Sequence, residues 1–226
     1  MDGEEEVMEM NRELIGKAEA FLKEAFDNSD FFREHPADKE YRLQHSYRVA
    51  NIGKMIAEKE GFDVTEMVIA CLLHDISYCE TFEDFKKDWK NHGRRAAQIA
   101  RPFLESLGLA PERVNDICYG IAIHVDDEAD FEGERTPFAE TVGDADNLDR
   151  FDAYRIYETL QYEKFSEKPF AKKLEKVHTT LQWLNDAKDR KLATETATEL
   201  WRERIAYYIS FYEKLKAQLE KSTSII

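Results

Sequence analysis

The stretch Met67–Ile76 reads MVIACLLHDI: seven apolar residues in succession, then His74 and Asp75, then one more isoleucine. The apolar part is far too short for a membrane span, which needs about 20 such residues. It predicts a buried helix over 64–76, started by Asp63 or Thr65 as a cap. A carboxylate at the end of such a helix costs several kcal/mol if it is buried ionised and alone. A metal ion is an economical partner for it. The alternatives are a cap on the next turn or an ion pair with an arginine. Adjacent residues on a helix point about 100° apart, yet at a helix end both His74 and Asp75 can reach one ion.

Helical periodicity recurs on both sides of this stretch. Helices are predicted over 8–27, 38–60, 92–107, 111–124, 138–164, 168–186 and 194–221. Breaks fall at Pro36, Gly61, the polar stretch 77–91, Gly108 to Pro111, the acidic loop Asp126–Thr136, and Pro169. Pro111 suits a first helical turn. Gly (9) and Pro (5) are too few for a fold built from strands and turns, and no stretch alternates with period two for long. The class is therefore all-α. A chain of 226 residues suits a single domain with a sizeable core.

Composition excludes several partners. The formal charge of −15 leaves no basic face for polymeric nucleic acid and disfavours docking on anionic membranes. With 14 Phe, 10 Tyr and 3 Trp the chain is too rich in aromatics to be a disordered acidic polymer. The opening MDGEEEVMEM is acidic where a signal peptide is basic and then apolar. Cys71, Cys79 and Cys118 form no CxxC. The expectation is a soluble cytoplasmic protein, with Cys71 as a core thiol.

Four of the six histidines sit on apolar helical faces. His45 steps to Val49, Ile52 and Ile56. His74 follows Met67 and Cys71. His92 precedes Ala96, Ile99 and Phe103, and His124 follows Ile117 and Ile121. One buried histidine is an ordinary hydrogen-bonded core residue; four on separate helices each need a partner. His35 and His178 read as structural or surface residues. In Gly143–Asp149 the steps Val142, Asp146, Asp149, Ala153 and Ile156 turn Asp146 and Asp149 inward. Asp144 points about 200° from Asp146 on a helix and is expected in solvent. His45, His74, Asp75 and Asp146 then make an N₂O₂ donor set suited to Mn, Fe, Co, Ni or Zn, and less well to Mg.

His45, the doublet His74-Asp75 and Asp146 in ADNLD, in that order, resemble the H…HD…D signature of the HD superfamily of metal-dependent phosphohydrolases. The likeness extends to HSYRVANIGKMIAEKEG (45–61), VIACLLHDI (68–76), His92-Gly93, TVGDADNLDRFDA (141–153) and LATETATELWRERIAYYISFY (192–212). These resemble small stand-alone bacterial HD hydrolases. The resemblance implies a single-domain helical bundle over 1–226. Its HD core covers about 40–160, and C-terminal helices over about 165–221 pack on it. It also implies one divalent ion, or two, and hydrolysis of a nucleotide or other small phosphate ester by metal-activated water. Two positions depart from the pattern. Nucleotidase-like members often carry Glu where Tyr78 stands, and a Gly-Ala-rich helix where Arg150–Arg155 reads RFDAYR.

Under this resemblance Asp75 orients the nucleophile as well as binding metal. His92 and His124 are assigned to substrate contact and leaving-group protonation, with a second metal site as the alternative. Arg48, one turn from His45, is the first choice for a phosphate contact. Lys90 and Arg94, with Arg95, flank His92 near a helix start, and Asp149 joins the pocket. A metal beside Arg48 reverses the local sign of an otherwise acidic protein. Removal of phosphate or pyrophosphate from a nucleoside triphosphate is preferred to cyclic-dinucleotide cleavage, since no GYP motif is present. The competing readings are a di-iron oxygenase of the same fold type and a silent nucleotide-binding scaffold.

Overall fold

The structure, a computed structural model, describes residues 2–82 and 85–222. Among these, ten α-helices and two short 3₁₀ turns follow one another, with no strand. The helices are α1 (Asp2–Asp27), α2 (Asp30–Glu34), α3 (Pro36–Glu60), α4 (Val64–Leu73), α5 (Phe85–Ser106), α6 (Pro111–Ile123), α7 (Pro137–Asp149), α8 (Ala153–Tyr162), α9 (Phe170–Ala187) and α10 (Glu195–Glu220). The 3₁₀ turns are Ile76–Cys79 and Phe165–Glu167. No helix among the described residues is long and apolar enough to cross a membrane. The chain divides into two compact units, Met1–Asp146 and Asn147–Ile226.

In the first unit the apolar run forms the axis. Asp63 Oδ1 accepts the Glu66 N–H at 2.9 Å and starts α4, whose residues from Thr65 to Leu73 are all buried. The helices α1, α3 and α6 pack around it, and α5 lies on α6 and on the turn Ile76–Cys79. Only glycine permits the α3–α4 approach at Gly53: a Cβ there would lie 2.5 Å from Cys71 Sγ and 3.2 Å from Met67 Cγ. Cys71 is fully buried, and burial pushes its thiol pKa up, so it is an inert core residue.

In the second unit Phe151 is the centre of an aromatic cluster, stacked on Trp183 (5.4 Å) and edge-on to Trp201 (5.0 Å) and Tyr208 (5.4 Å). Trp201, Ile205, Tyr208 and Tyr212 of α10 are buried, at steps of four, three and four along one face of the helix. Thr194 caps α10 by accepting the Ala197 N–H at 3.1 Å.

Five elements differ from the sequence reading, the first being α1, which begins at Asp2 and not at residue 8. The helix predicted over 138–164 is two, α7 and α8. The Leu148 carbonyl accepts from Arg204 (2.6 Å) and the Arg150 carbonyl from Tyr208 (3.0 Å), so tertiary donors replace helical ones there. Asp152 then restarts the chain by accepting the Ala153 N–H at 2.6 Å. The helix predicted over 64–76 ends at Leu73 and passes through His74 and Asp75 into the 3₁₀ turn. The polar stretch 77–91 is not a break throughout, because α5 begins at Phe85. The short α2, capped by Ser29, has too few residues to show a period.

Candidate metal centre

The six donors arrive from five helices, at their ends or in their middles. His45 lies in α3, His74 follows the last residue of α4, His92 lies in α5, His124 follows α6, and Asp146 lies in α7. Asp75 leaves helical geometry (φ −105°, ψ 13°), and this turn lets adjacent His74 and Asp75 address one place. All six are at most 9% exposed. Gly93, beside His92, allows α5 to seat on the end of α6. A Cβ there would lie 2.6 Å from the Ala122 carbonyl, 3.0 Å from the Ile121 carbonyl and 3.0 Å from His124 Nδ1.

The donors form two lobes that share Asp75. Its Oδ2 lies 3.5 Å from His45 Nε2 and 3.6 Å from His74 Nε2. Those imidazole nitrogens are 3.2 Å apart, and Asp146 Oδ1 is 3.2 Å from the first and 3.9 Å from the second. The other oxygen, Oδ1, lies 3.1 Å from His92 Nε2 and 3.7 Å from His124 Nε2. These two nitrogens are 3.1 Å apart. Two sets, His45–His74–Asp146 and His74–Asp75–His124, have donor atoms close enough to hold a metal ion.

The donor chemistry fits such an ion. Nδ1 of His74, His92 and His124 meets a main-chain carbonyl, of Cys71 (2.7 Å), Trp89 (2.5 Å) and Ile121 (2.7 Å) respectively. A carbonyl only accepts, so each Nδ1 carries the proton, and a neutral ring then turns its Nε2 lone pair to the cluster. This is the outer-shell arrangement that orients metal-bound histidines. Burial lowers the His74 pKa to about 4, partly opposed by Asp75, so this ring is neutral near pH 7. For His124 burial is outweighed by the hydrogen bond and charge of Asp75, and its pKa rises. Burial works against ionised Asp75, but His74, the Arg42 guanidinium and the imidazoles of His124 and His92 beside it hold its carboxyl well below the usual carboxylate range. A carboxylate kept ionised at 3% exposure needs positive partners, and Arg42 supplies one of them.

Arg42 touches this cluster and was not among the sequence candidates. Its Nη1 donates to Asp75 Oδ2 at 2.8 Å, and its guanidinium lies over the Tyr78 ring, 3.5 Å from the centroid. Tyr78 also packs on His92 (5.1 Å between ring centres). Burial, then the charge of Asp75, pushes its phenol up to about 12, so it stays neutral. The available signal was spacing: Arg42 precedes His45 by three residues on one helix.

The other candidates are placed as follows. Arg48 is half-buried on α3, one turn beyond His45. Lys90 is exposed on α5. Arg94 and His92 line one cavity of about 630 Å³ with Asn91, Arg95 and Asp130. The Arg94 charge is engaged there by Asp126 (3.2 Å) and Asp130 (3.8 Å). Asp149 is buried and belongs to the second unit. Asp144 corrects the sequence reading: it is 8% exposed, not solvated, because α7 is covered on all sides from Thr141 to Asp146. His35 and His178 are exposed, as expected.

Two comparisons with known proteins bear on the fold and on the sequence around these donors. The HD domain family model matches residues 42–151. No curated protein matches the sequence. The crystal structure of a predicted HD superfamily hydrolase from an uncultured Thermotogales bacterium superimposes with a TM-score of 0.60. The match covers 92% of this chain and 91% of that one at 22% identity, a likeness of fold. The family match spans all six converging donors, and over residues 42–151 this chain is similar to the HD-domain proteins.

Proposed function

We propose that this protein is a metal-dependent phosphohydrolase acting on a nucleotide or another small phosphate ester. One observation carries the reading: a single ionised carboxylate, Asp75, meets two imidazoles at each of its oxygens inside a buried pocket. His45, His74, Asp75 and Asp146 would hold one divalent ion, and Asp75, His92 and His124 a second. When bound, such an ion would supply a water acidified to a pKa of about 7 and withdraw charge from a phosphoryl oxygen. The protein supplies the rest. The carbonyls of Cys71, Trp89 and Ile121 hold three rings in one tautomer. Burial keeps bulk water from the donors. Asp75 stays ionised and ties the two lobes to one carboxylate.

This reading moves His92 and His124 from substrate contact to metal binding, the alternative that the sequence had left open. Their Nε2 atoms are directed at Asp75 and at each other. The cavity beside His92, lined by Asn91 and Arg94, accommodates the leaving part of an ester. Six donors that share Asp75 would also suit two irons, which keeps the oxygenase reading as the alternative.

The test is metal analysis of the purified protein. A phosphate-release screen over nucleotides with Mn, Mg, Co, Ni and Zn follows, run beside Asp75→Ala. Wild type should carry metal and turn over, and the variant should lose both. An Asp75→Ala protein equal to wild type in metal content and turnover overturns the assignment. Iron at two per chain with substrate-dependent oxygen uptake selects the alternative.

A further inference from the structure

The cavity beside His92 has a volume of about 630 Å³, inside the range of about 300–1,000 Å³ usual for small-molecule sites. Its charged lining, among the described residues, sets three carboxylates (Glu80, Asp88 and Asp130) against two guanidiniums (Arg94 and Arg95). Both guanidiniums are engaged. Arg95 grips Glu80 through two donors, Nε to Oε2 at 2.7 Å and Nη2 to Oε1. Arg94 Nη2 donates to Asn91 Oδ1 and lies 3.2 Å from Asp126 Oδ2, while its Nε lies 3.8 Å from Asp130 Oδ1. Gln98 joins the two pairs. Its Oε1 accepts from Arg95 Nη1 at 3.1 Å, and its Nε2 donates to Asp130 Oδ2 at 3.2 Å. The wall is thus one hydrogen-bonded network whose cations are already neutralised. A phosphate entering here has to break an ion pair or face carboxylates of like charge, which costs binding. A hydroxyl does neither. An ionised carboxylate offers about four lone-pair sites, so Glu80 and Asp130 can accept a ligand hydroxyl and keep their arginines. Phe82, 4.9 Å from the Tyr78 ring centre, gives the same cavity an apolar face.

We infer that this cavity receives a neutral, hydroxyl-bearing leaving group. The substrates are then phosphomonoesters of a sugar, free or within a nucleoside, and not phosphoanhydrides. In the reaction the oxygen of water bonds to phosphorus and the ester P–O bond breaks. The departing oxygen takes a proton from that water, giving inorganic phosphate and an alcohol. Glu80 and Asp130 are the specificity-determining residues, because they hold Arg95 and Arg94 away from any second phosphate. The inference rests on the metal-hydrolase reading above. It runs against the preference for nucleoside triphosphates drawn from sequence.

The experiment measures kcat/KM for phosphate release by metal-loaded protein from two monoesters, ribose 5-phosphate and AMP, and two anhydrides, ADP and inorganic pyrophosphate. Wild type is compared with Glu80→Gln and Asp130→Asn at equal metal content. Wild type is expected to favour the better monoester over the better anhydride by roughly thirtyfold or more. Each variant should lower that preference by roughly fivefold or more, by cleaving the anhydrides faster than wild type does. A merely structural defect slows both classes and cannot produce that gain. Wild type that cleaves an anhydride as fast as the better monoester overturns the inference, as do folded variants that keep the wild-type preference. If one variant does not fold, the other decides. Failure of the hydrolase reading looks different. There, wild type releases phosphate from none of the four compounds, and both readings fall together.

Discussion

His92 and His124 stand 32 residues apart in sequence, on α5 and at the end of α6, and their Nε2 atoms meet at 3.1 Å over Asp75 Oδ1. Two lone pairs facing each other at that distance repel unless a proton or a cation lies between them. Nδ1 of both rings is already tied to a carbonyl, so the cluster is arranged around a positive centre.

The two lobes should empty separately. His45→Ala removes a donor next to Asp146, and His92→Ala removes one next to His124. Each variant is expected to lose one of two bound ions, read as a halved stoichiometry by elemental analysis. Turnover in each should fall by more than the roughly 100-fold typical of losing an outer-shell partner. A His92→Ala protein that keeps both ions would sink the second lobe.

Removing metal should cost stability as well as activity. Metal held at a hundred times its Kd stabilises a fold by about 2.7 kcal/mol. Chelation is therefore expected to lower the melting temperature of wild type. Asp75→Ala, with its bridge gone, should melt at the same temperature with or without chelator. If wild type is indifferent to chelation, the buried donors are not a metal centre.

Gly93→Ala tests the helix approach that creates the pair. In a free helix this change gains about 1 kcal/mol. Here the new Cβ lies 2.6 Å from a carbonyl of Ala122, and backbone does not yield easily. Overpacking of about 1–3 kcal/mol should prevail. The expected outcome is a melting temperature lower by a few degrees and weaker binding at the His92–His124 lobe. A more stable variant with full metal content would show that the contact is not tight.

In the second unit, Tyr208→Phe removes the donor to the Arg150 carbonyl at the break between α7 and α8. The expected cost is about 1 kcal/mol, read as a lower urea midpoint with an unchanged slope. No change would mean that the break is held by Arg204 on Leu148 alone.

Much of the site was legible in the sequence because polar residues on apolar faces are expensive. His45, His74, His92, His124 and Asp146 each interrupt a periodic apolar stripe, and all five are buried. The helical class followed from the same period, and the cap at Asp63 from residue type. The break after Asp149 was not legible. Its carbonyls are satisfied by Arg204 and Tyr208, more than fifty residues away, and no local pattern records such partners. Asp144 was misread for a related reason. A helical angle gives direction, but only packing decides whether that direction holds solvent.

By itself, then, the sequence marked which polar groups lie on buried faces, and for Asp75 it left a metal ion, an arginine or a cap as the partner, because desolvation is a property of each residue in its own helix. Only the tertiary structure decided how they divide. It placed two imidazoles on each oxygen of Asp75, set Arg42 rather than Arg48 on that carboxylate, and laid Tyr78 under the guanidinium. Those relationships depend on distances between helices, set where Gly53 admits the Cys71 and Met67 side chains and Gly93 lets α5 close on the end of α6. A distance of that kind belongs to no single segment of the chain.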